Sequence, residues 1–466
     1  MGSNPTPRTI VSQCFADWSN ILFPIDVYLI NVDIQRVEKW NGFTVKVTHV
    51  RETEREEIEK VPKWSAELVE NVQFIYELAL AELELQAFGV DFTVTNGMRG
   101  FVLRNPPDVD TLVRRLAYFK TVGRRITDYY RLTRYNRARS VNQYLTHWIY
   151  PYKGKFHPQM IRALLNILKL EANETVLDPF IGSGTTAVEA QLLGINCIGI
   201  DVSPLCILQS KVKTESIYVI VEIERLKEEA IASFESSNRV HPPFAEEAVA
   251  EGYNRFLDSI KDDRVRNFYL MAKLVAISDK ARRGREIVQS FIKNLERMIS
   301  SVSDYERATG ELNLQLGNVD IREGDARHLP LRDESVQGII TSPPYSIALD
   351  YIVNDAHAFK AMGCDLDKMR DVFIGVRGRG ETRMKLYNGD MATSFDEMYR
   401  VLEKGRCCAI VIGNATYQKH EVKTIEFTIE QCGKLGFTLI NNINKIIYGL
   451  YNVMQTDNTL ILRKDR

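Results

Sequence analysis

From residue 175 onward, short apolar runs alternate with segments of helical spacing. The runs are 175–178 (Thr175-Val176-Leu177-Asp178), 196–200, 319–322, 336–341 and 407–412. Each is bounded by charged residues, glycine or proline, a pattern that predicts buried strands of a parallel sheet. Before them, residues 158–170 predict a helix with Pro158 in its first turn, and between the first two runs residues 185–193 predict another that stops at Gly194. Strand 196–200 ends in Asp201, and Pro204 opens a third helix. Strand, glycine turn, helix, strand and terminal acid make a βαβ unit. Residues 215–310 are helical by composition, acidic in their first half and basic in their second, and read as an insertion between sheet strands. Residues 365–390 read as a loop region bearing Arg377-Gly378-Arg379-Gly380. A helix over 395–402 follows it, then a helix over 423–435, and 437–442 with 458–462 read as a terminal hairpin.

The first third of the chain is patterned differently. Alternation over 42–48 suggests a hairpin, residues 65–88 carry helical spacing ended by Gly89, and a short hairpin is expected around Asn96-Gly97. Residues 111–140 concentrate Arg114, Arg115, Lys120, Arg124, Arg125, Arg131 and Arg134, with Tyr118, Phe119, Tyr129, Tyr130 and Tyr135 interleaved. Cations meet phosphates and aromatic rings stack on bases, so this segment has the composition of a DNA-binding face. A solvated amphipathic helix whose tyrosines pack on a neighbour has the same composition.

Composition narrows the class without naming a reaction. With 466 residues the chain exceeds one ordinary core, so several domains are expected. Lys plus Arg is 60 against 61 for Asp plus Glu, so a nucleic-acid partner must be met by a local patch. No apolar run approaches the roughly 20 residues of a membrane span. The first residues lack the pattern of a secretory signal, which with the cysteine usage suggests a cytoplasmic protein. The seven cysteines contain no Cys-x-x-Cys pair, so neither a disulfide framework nor a metal site is expected.

The chemistry concentrates in two turns. The first is Asp178-Pro179-Phe180-Ile181-Gly182-Ser183-Gly184-Thr185-Thr186. A phosphate loop would need a lysine there, and a dinucleotide turn a third glycine where Ala187 stands. S-adenosylmethionine carries no phosphate, and its carboxylate and amine suit backbone groups at a helix N-terminus. Asp201 would accept from ribose hydroxyls, and Asp325 could accept from the adenine amino group. The second turn is Thr341-Ser342-Pro343-Pro344-Tyr345, directly after the fourth apolar run. An amine on a nucleobase is a poor nucleophile because its lone pair is delocalised. Accepting its two N–H groups with the Ser342 side chain and the Pro343 carbonyl would free that lone pair. Tyr345 would stack on a base that is flipped or single-stranded.

Three segments together resemble the motifs of the S-adenosylmethionine-dependent DNA amino-methyltransferases. They are Tyr152-Lys153-Gly154-Lys155-Phe156-His157-Pro158-Gln159, the 178–186 turn and Thr341–Tyr345. The resemblance covers roughly residues 145–215 and 318–466. It implies an α/β fold: a Rossmann-like class I methyltransferase sheet with helices on both faces, a helical insertion and an α+β N-terminal region. The implied layout is an N-terminal region over 1–145, core parts over 146–214 and 316–466, and the insertion over 215–315. It also implies that Phe156, Asp178, Pro179, Phe180, Gly182, Ser183, Gly184 and Thr185 hold the methionine part. Asp201 and Val202 would hold the ribose, Asp325 the adenine, and Ser342, Pro343, Pro344 and Tyr345 would form the catalytic loop. DNA is the implied substrate and a cognate restriction endonuclease an implied partner. Serine at the first loop position is more typical of cytosine-N4 than of adenine-N6 enzymes. Methylation of a guanine amine in RNA, and a non-catalytic nucleic-acid-binding protein, are the alternatives. The chain departs from the usual layouts in its large insertion between the second and third strands, which leaves residues 1–145, the insertion over 215–315, or both for target recognition.

Overall fold

A computed structural model of the chain describes residues 36–40, 43–47, 64–136, 140–238, 245–344, 350–417, 420–448 and 454–465. The chain divides into two compact units, residues 1–62 and 63–466. In the first, β1 (Arg36–Trp40) and β2 (Phe43–Val47) pair antiparallel as a hairpin.

The second unit begins with β3 (Ser65–Leu68), β4 (Asp91–Thr95), β5 (Gly100–Arg104), β6 (Phe119–Val122) and β7 (Arg125–Ile126). They form an antiparallel sheet in the order β4-β5-β3-β6-β7. The helix expected over 65–88 is a strand followed by the helix Ile75–Ala87. Ala66 and Leu68 are buried while Glu67 between them is exposed, a period of two that belongs to a strand. The β4–β5 connection is a four-residue loop, 96–99, closed by the Thr95–Gly100 pair, with Asn96 at φ 50°, Gly97 at φ 58° and Met98 at φ 69° all left-handed.

The larger sheet contains β8 (Thr175–Asp178), β9 (Asn196–Asp201), β10 (Val319–Glu323), β11 (Val336–Thr341) and β12 (Leu402–Gly413). A small hairpin, β13 (Ala415–Tyr417) with β14 (His420–Val422), precedes its last members, β15 (Phe437–Tyr448) and β16 (Met454–Lys464). Its order is β10-β9-β8-β11-β12-β16-β15. The first five strands are parallel, and β16 and β15 are antiparallel additions at the end. This is an open, doubly wound α/β sheet. The chain leaves β8 for β9 on one side and later occupies β11 on the other, which opens a crevice at the strands' carboxyl ends.

Alternate residues of the central strands feed two different cores. Val176, Ile340 and Ala409 pack with the 64–145 region and the helices Pro158–Ile167 and Thr185–Leu192. Leu177, Ile339 and Cys408 pack against the helices Gly380–Val401 and Thr424–Leu435. The N-terminal α+β region therefore shares a core with one face of the sheet. A third core joins the inserted helices Ile220–Asn238, Ala245–Ser259, Asp263–Arg283 and Ile287–Glu311 to Ile149, Tyr150 and Phe359.

Much of the 365–390 segment is helical, not a loop. Leu366–Val372 is a helix, and Gly380 begins a 22-residue one. The latter buries Tyr387, Met391, Phe395, Met398 and Val401, steps of three and four that form one apolar stripe.

Candidate active site

Two turns leave the sheet at adjacent strand ends and face one cavity. The turn after β8 rests on the helix Pro204–Glu215. The Gly182 carbonyl accepts from Gln209 Nε2 at 3.1 Å and Ser210 Oγ at 3.3 Å, and the Ser183 carbonyl accepts from the buried Lys213 Nζ at 2.7 Å. Burial pushes the Lys213 ammonium pKa well below its ordinary value. These bonds take up the carbonyls on the helix side and hold the turn rigidly. Gly184 has φ 75°, and a Cβ there would lie 2.7 Å from Ser210 Oγ and 3.0 Å from Ser210 Cα. The position thus demands glycine for both backbone and space. Gly184→Ala is expected to weaken donor binding at least tenfold, measurable by calorimetric titration; unchanged affinity would show that the turn can shift freely.

Asp178 ties this turn to the second one. Its Oδ1 accepts from Thr341 Oγ1 at 2.7 Å and from the Phe180 amide at 3.2 Å, and its Oδ2 accepts from Thr186 Oγ1 at 2.7 Å. Burial pushes its pKa up to about 6, against the pull of the Thr341 and Thr186 bonds. The carboxylate lies behind the cavity wall, so Asp178 positions both turns. Gly184, Thr185 and the buried Pro343 likewise stand behind the lining, whereas Phe156, Pro179, Phe180, Gly182, Ser183, Asp201, Val202, Asp325, Ser342 and Pro344 form it. Tyr345 lies outside the described residues.

Asp201 accepts the Gly182 amide at 3.0 Å and the Ser203 amide at 2.9 Å, and loss of solvation raises its pKa to about 6. The Val202 amide and the Cys206 thiol also bond to this carboxylate. Asp325 is more heavily engaged. Its oxygens accept from the Arg327 amide and guanidinium at 2.6 to 3.0 Å. Burial alone would raise its pKa, but these bonds outweigh burial and hold it below the ordinary carboxylate value. Arg327 in turn pairs with Asp390 at 2.9 Å, and Arg377 closes on the same carboxylate.

Several lining residues escaped the sequence reading. Tyr351, Asp355, Phe359, Phe373 and Ile374 come from the segment after the catalytic loop, and Cys206 from the helix after Asp201. Tyr152 stacks on Tyr351 with centroids 6.2 Å apart and planes 18° from parallel. Tyr152 lies in a motif already singled out; the others carry no local signal, because only the chain's return over the cavity brings them there. The lining suits S-adenosylmethionine: aromatic and aliphatic walls for a purine, carboxylates for hydroxyl and amino donors, and a glycine turn for the amino-acid end. At Gly182 a Cβ would lie 3.4 Å from the Tyr152 ring, so glycine leaves room that a side chain would fill.

Three rings of the basic segment are turned inward, while most of its arginines stay exposed. Tyr118, Phe119 and Tyr129 are 1%, 0% and 1% exposed, so these rings belong to the core and cannot stack on bases. Arg115 donates to Asn166 Oδ1 at 2.8 Å and to the Leu170 carbonyl at 2.7 Å, binding two elements together in place of a phosphate. Lys120 pairs with Glu70 and Arg125 with Asp110. Arg114, Arg124, Arg131 and Arg134 remain exposed.

Residues 44–211 match the family model described as DNA methylase. The chain is 43% identical over 81 residues to Type II methyltransferase M.MjaII of Methanocaldococcus jannaschii, covering 17% of this chain and 14% of that protein. It is 25% identical over 287 residues to Type II methyltransferase M.BsoBI of Geobacillus stearothermophilus, covering 50% and 55%. Over 118 residues it is 27% identical to the tRNA (guanine(10)-N2)-dimethyltransferase of Methanothermobacter thermautotrophicus, covering 23% and 35%. The chain thus spans at most about half the length of these relatives. The family match and these relatives make the chain similar to DNA amino-methyltransferases over part of its length.

Proposed function

We propose that the protein methylates the exocyclic amino group of a base in DNA, with cytosine N4 as the target. The observation that carries this reading is that Ser342 and Pro344 line the same cavity as the glycine turn, with Asp178 bonded to both turns. Among the described residues the Ser342 hydroxyl has no hydrogen-bond partner, which leaves it able to accept from an incoming amine. When bound, the donor supplies a methyl group on a sulfonium, and the chain's part is placement. Ser342 Oγ, on the cavity wall, accepts an N–H bond and turns the nitrogen lone pair toward the methyl carbon, with the buried Pro343 stiffening the loop behind it. The nitrogen–carbon bond forms as the sulfur–carbon bond breaks, and the amine's proton then leaves to solvent. Apolar walls from Phe180, Phe359 and Phe373 exclude water from that contact. Stacking of the base falls to Tyr345 in this scheme.

Serine at the first loop position favours cytosine over adenine. The RNA reading draws on one relative named as a tRNA guanine dimethyltransferase, but the resemblance of the 150–159 segment favours DNA. Incubation with labelled donor and duplex DNA or tRNA, followed by nucleoside analysis, tests the proposal. N4-methylcytosine is the expected product. N6-methyladenine would replace the base assignment, and label confined to RNA would overturn the substrate.

A further inference from the structure

The inserted helices form one wall of a second groove, outside the reaction cavity and beside it. The opposite wall is the 147–155 segment, which leads into the helix Pro158–Ile167. Among the described residues, seven lysine and arginine side chains line this groove against one carboxylate, Asp279. That carboxylate is already matched, by Arg283 and by Arg285 at 3.0 Å. Lys153 on one wall and Lys293 on the other are exposed and form no ion pair among the described residues. Between the walls, Arg297 lies over the Trp148 ring, 3.9 Å from its centroid. At the base of the groove, His147 is fully buried and its Nδ1 has no hydrogen-bond partner.

The groove is continuous with the reaction cavity. Tyr152 lines both. Arg282, a groove residue, donates to the Pro151 carbonyl at 2.7 Å and pairs at 2.7 Å with Asp355, a cavity residue. Tyr150 donates to the same carboxylate at 2.9 Å, so the two sites share a hydrogen-bonded partition. A polyanion lying in the groove would have its neighbouring groups at the mouth of the cavity.

We propose that the DNA backbone runs along this groove, with phosphates on Lys153 and Lys293, and that the target nucleotide turns into the cavity past Tyr152. The assignment rests on the DNA reading above and deepens it: the insertion supplies the backbone track. The basic composition of 111–140 suggested a different face, but that segment spends Tyr118, Phe119 and Tyr129 on the core and engages Arg115, Lys120 and Arg125 with other groups of the chain.

The test compares wild-type protein, the double variant Lys153→Ala/Lys293→Ala and, from the other segment, Arg124→Ala/Arg125→Ala. Each is titrated with a fluorescent duplex over a range of salt concentrations, with donor affinity as the control for folding. Each lost phosphate contact flattens the plot of log affinity against log salt by about 0.9. The groove variant is therefore expected to lose about 1.8 from the slope and to bind DNA at least tenfold more weakly, with donor affinity kept. A groove variant with the wild-type slope overturns the backbone track, while labelled cytosine from the same protein would leave the proposed reaction standing. A slope change confined to Arg124→Ala/Arg125→Ala moves the track to that segment and also overturns the proposal. Wild-type protein that neither binds nor labels DNA overturns both readings together.

Discussion

Ser342→Ala is expected to slow methyl transfer about a hundredfold, roughly 2.7 kcal/mol at the barrier, while donor affinity stays near the wild-type value. The hydroxyl is aimed at hydrogen-bond donors that matter most as the nitrogen becomes pyramidal, so its loss falls on the transition state more than on binding. Asp178, Gly182 and the helix behind them are untouched by the change, and the donor's seat should remain whole. Single-turnover rates and calorimetric donor binding separate the two effects. A collapse of donor affinity would mean that Ser342 belongs to the donor seat; an unchanged rate would remove it from the chemistry.

Glu189→Ala should cost about 3–5 kcal/mol of stability, because it strands a buried cation. Glu189 Oε2 lies 3.3 Å from Arg162 Nη1, and neither side chain is exposed. Tyr144 donates its hydroxyl to Oε1, and His147 Nε2 stands 2.8 Å from the same oxygen. Burial lowers the His147 pKa to about 4, so near neutral pH the ring is uncharged and Arg162 is the counter-ion. Burial would raise the Glu189 pKa, but the His147 bond and the Arg162 charge outweigh it and hold the carboxyl below its ordinary value. Without the carboxylate, Arg162 keeps only the Arg114 and Arg115 carbonyls, at 3.0 and 3.3 Å. Urea unfolding monitored by circular dichroism measures the loss, and Glu189→Gln, which retains the hydrogen-bonding shape, should lose less. A wild-type midpoint for Glu189→Ala would show that the cluster does not hold the N-terminal region to the sheet.

That cluster illustrates what local reading could not reach. Glu189 lies on an expected helix and His147 and Arg162 flank a recognised motif, yet nothing in their spacing joins them. Strands were legible because a parallel strand buried on both faces is mostly apolar, as Val336, Ile339 and Ile340 make 336–341. The glycine turn was legible because its positive φ leaves few alternatives to glycine. The 365–390 segment misled because its glycines and arginines outweighed a stripe that becomes visible only when Tyr387, Met391 and Phe395 are known to share a face. In the basic segment composition did not reveal that Tyr118, Phe119 and Tyr129 are core rings: it reports how many rings and charges are present, not which way they point.

The sequence alone therefore determined the order of strands and turns, the glycine turn at 178–186, and the Ser342–Pro344 loop. These are local features whose chemistry follows from a few adjacent residues. Tertiary structure decided the rest. It set Asp178 behind the cavity as a tie between two turns and folded Tyr351, Phe359 and Phe373 over the donor site. It also turned Tyr118 and Tyr129 into the core while gathering Lys153 and Lys293 along one groove. The physical reason is that burial and charge pairing are relations between distant parts of the chain, and become defined only when the sheet brings those parts together.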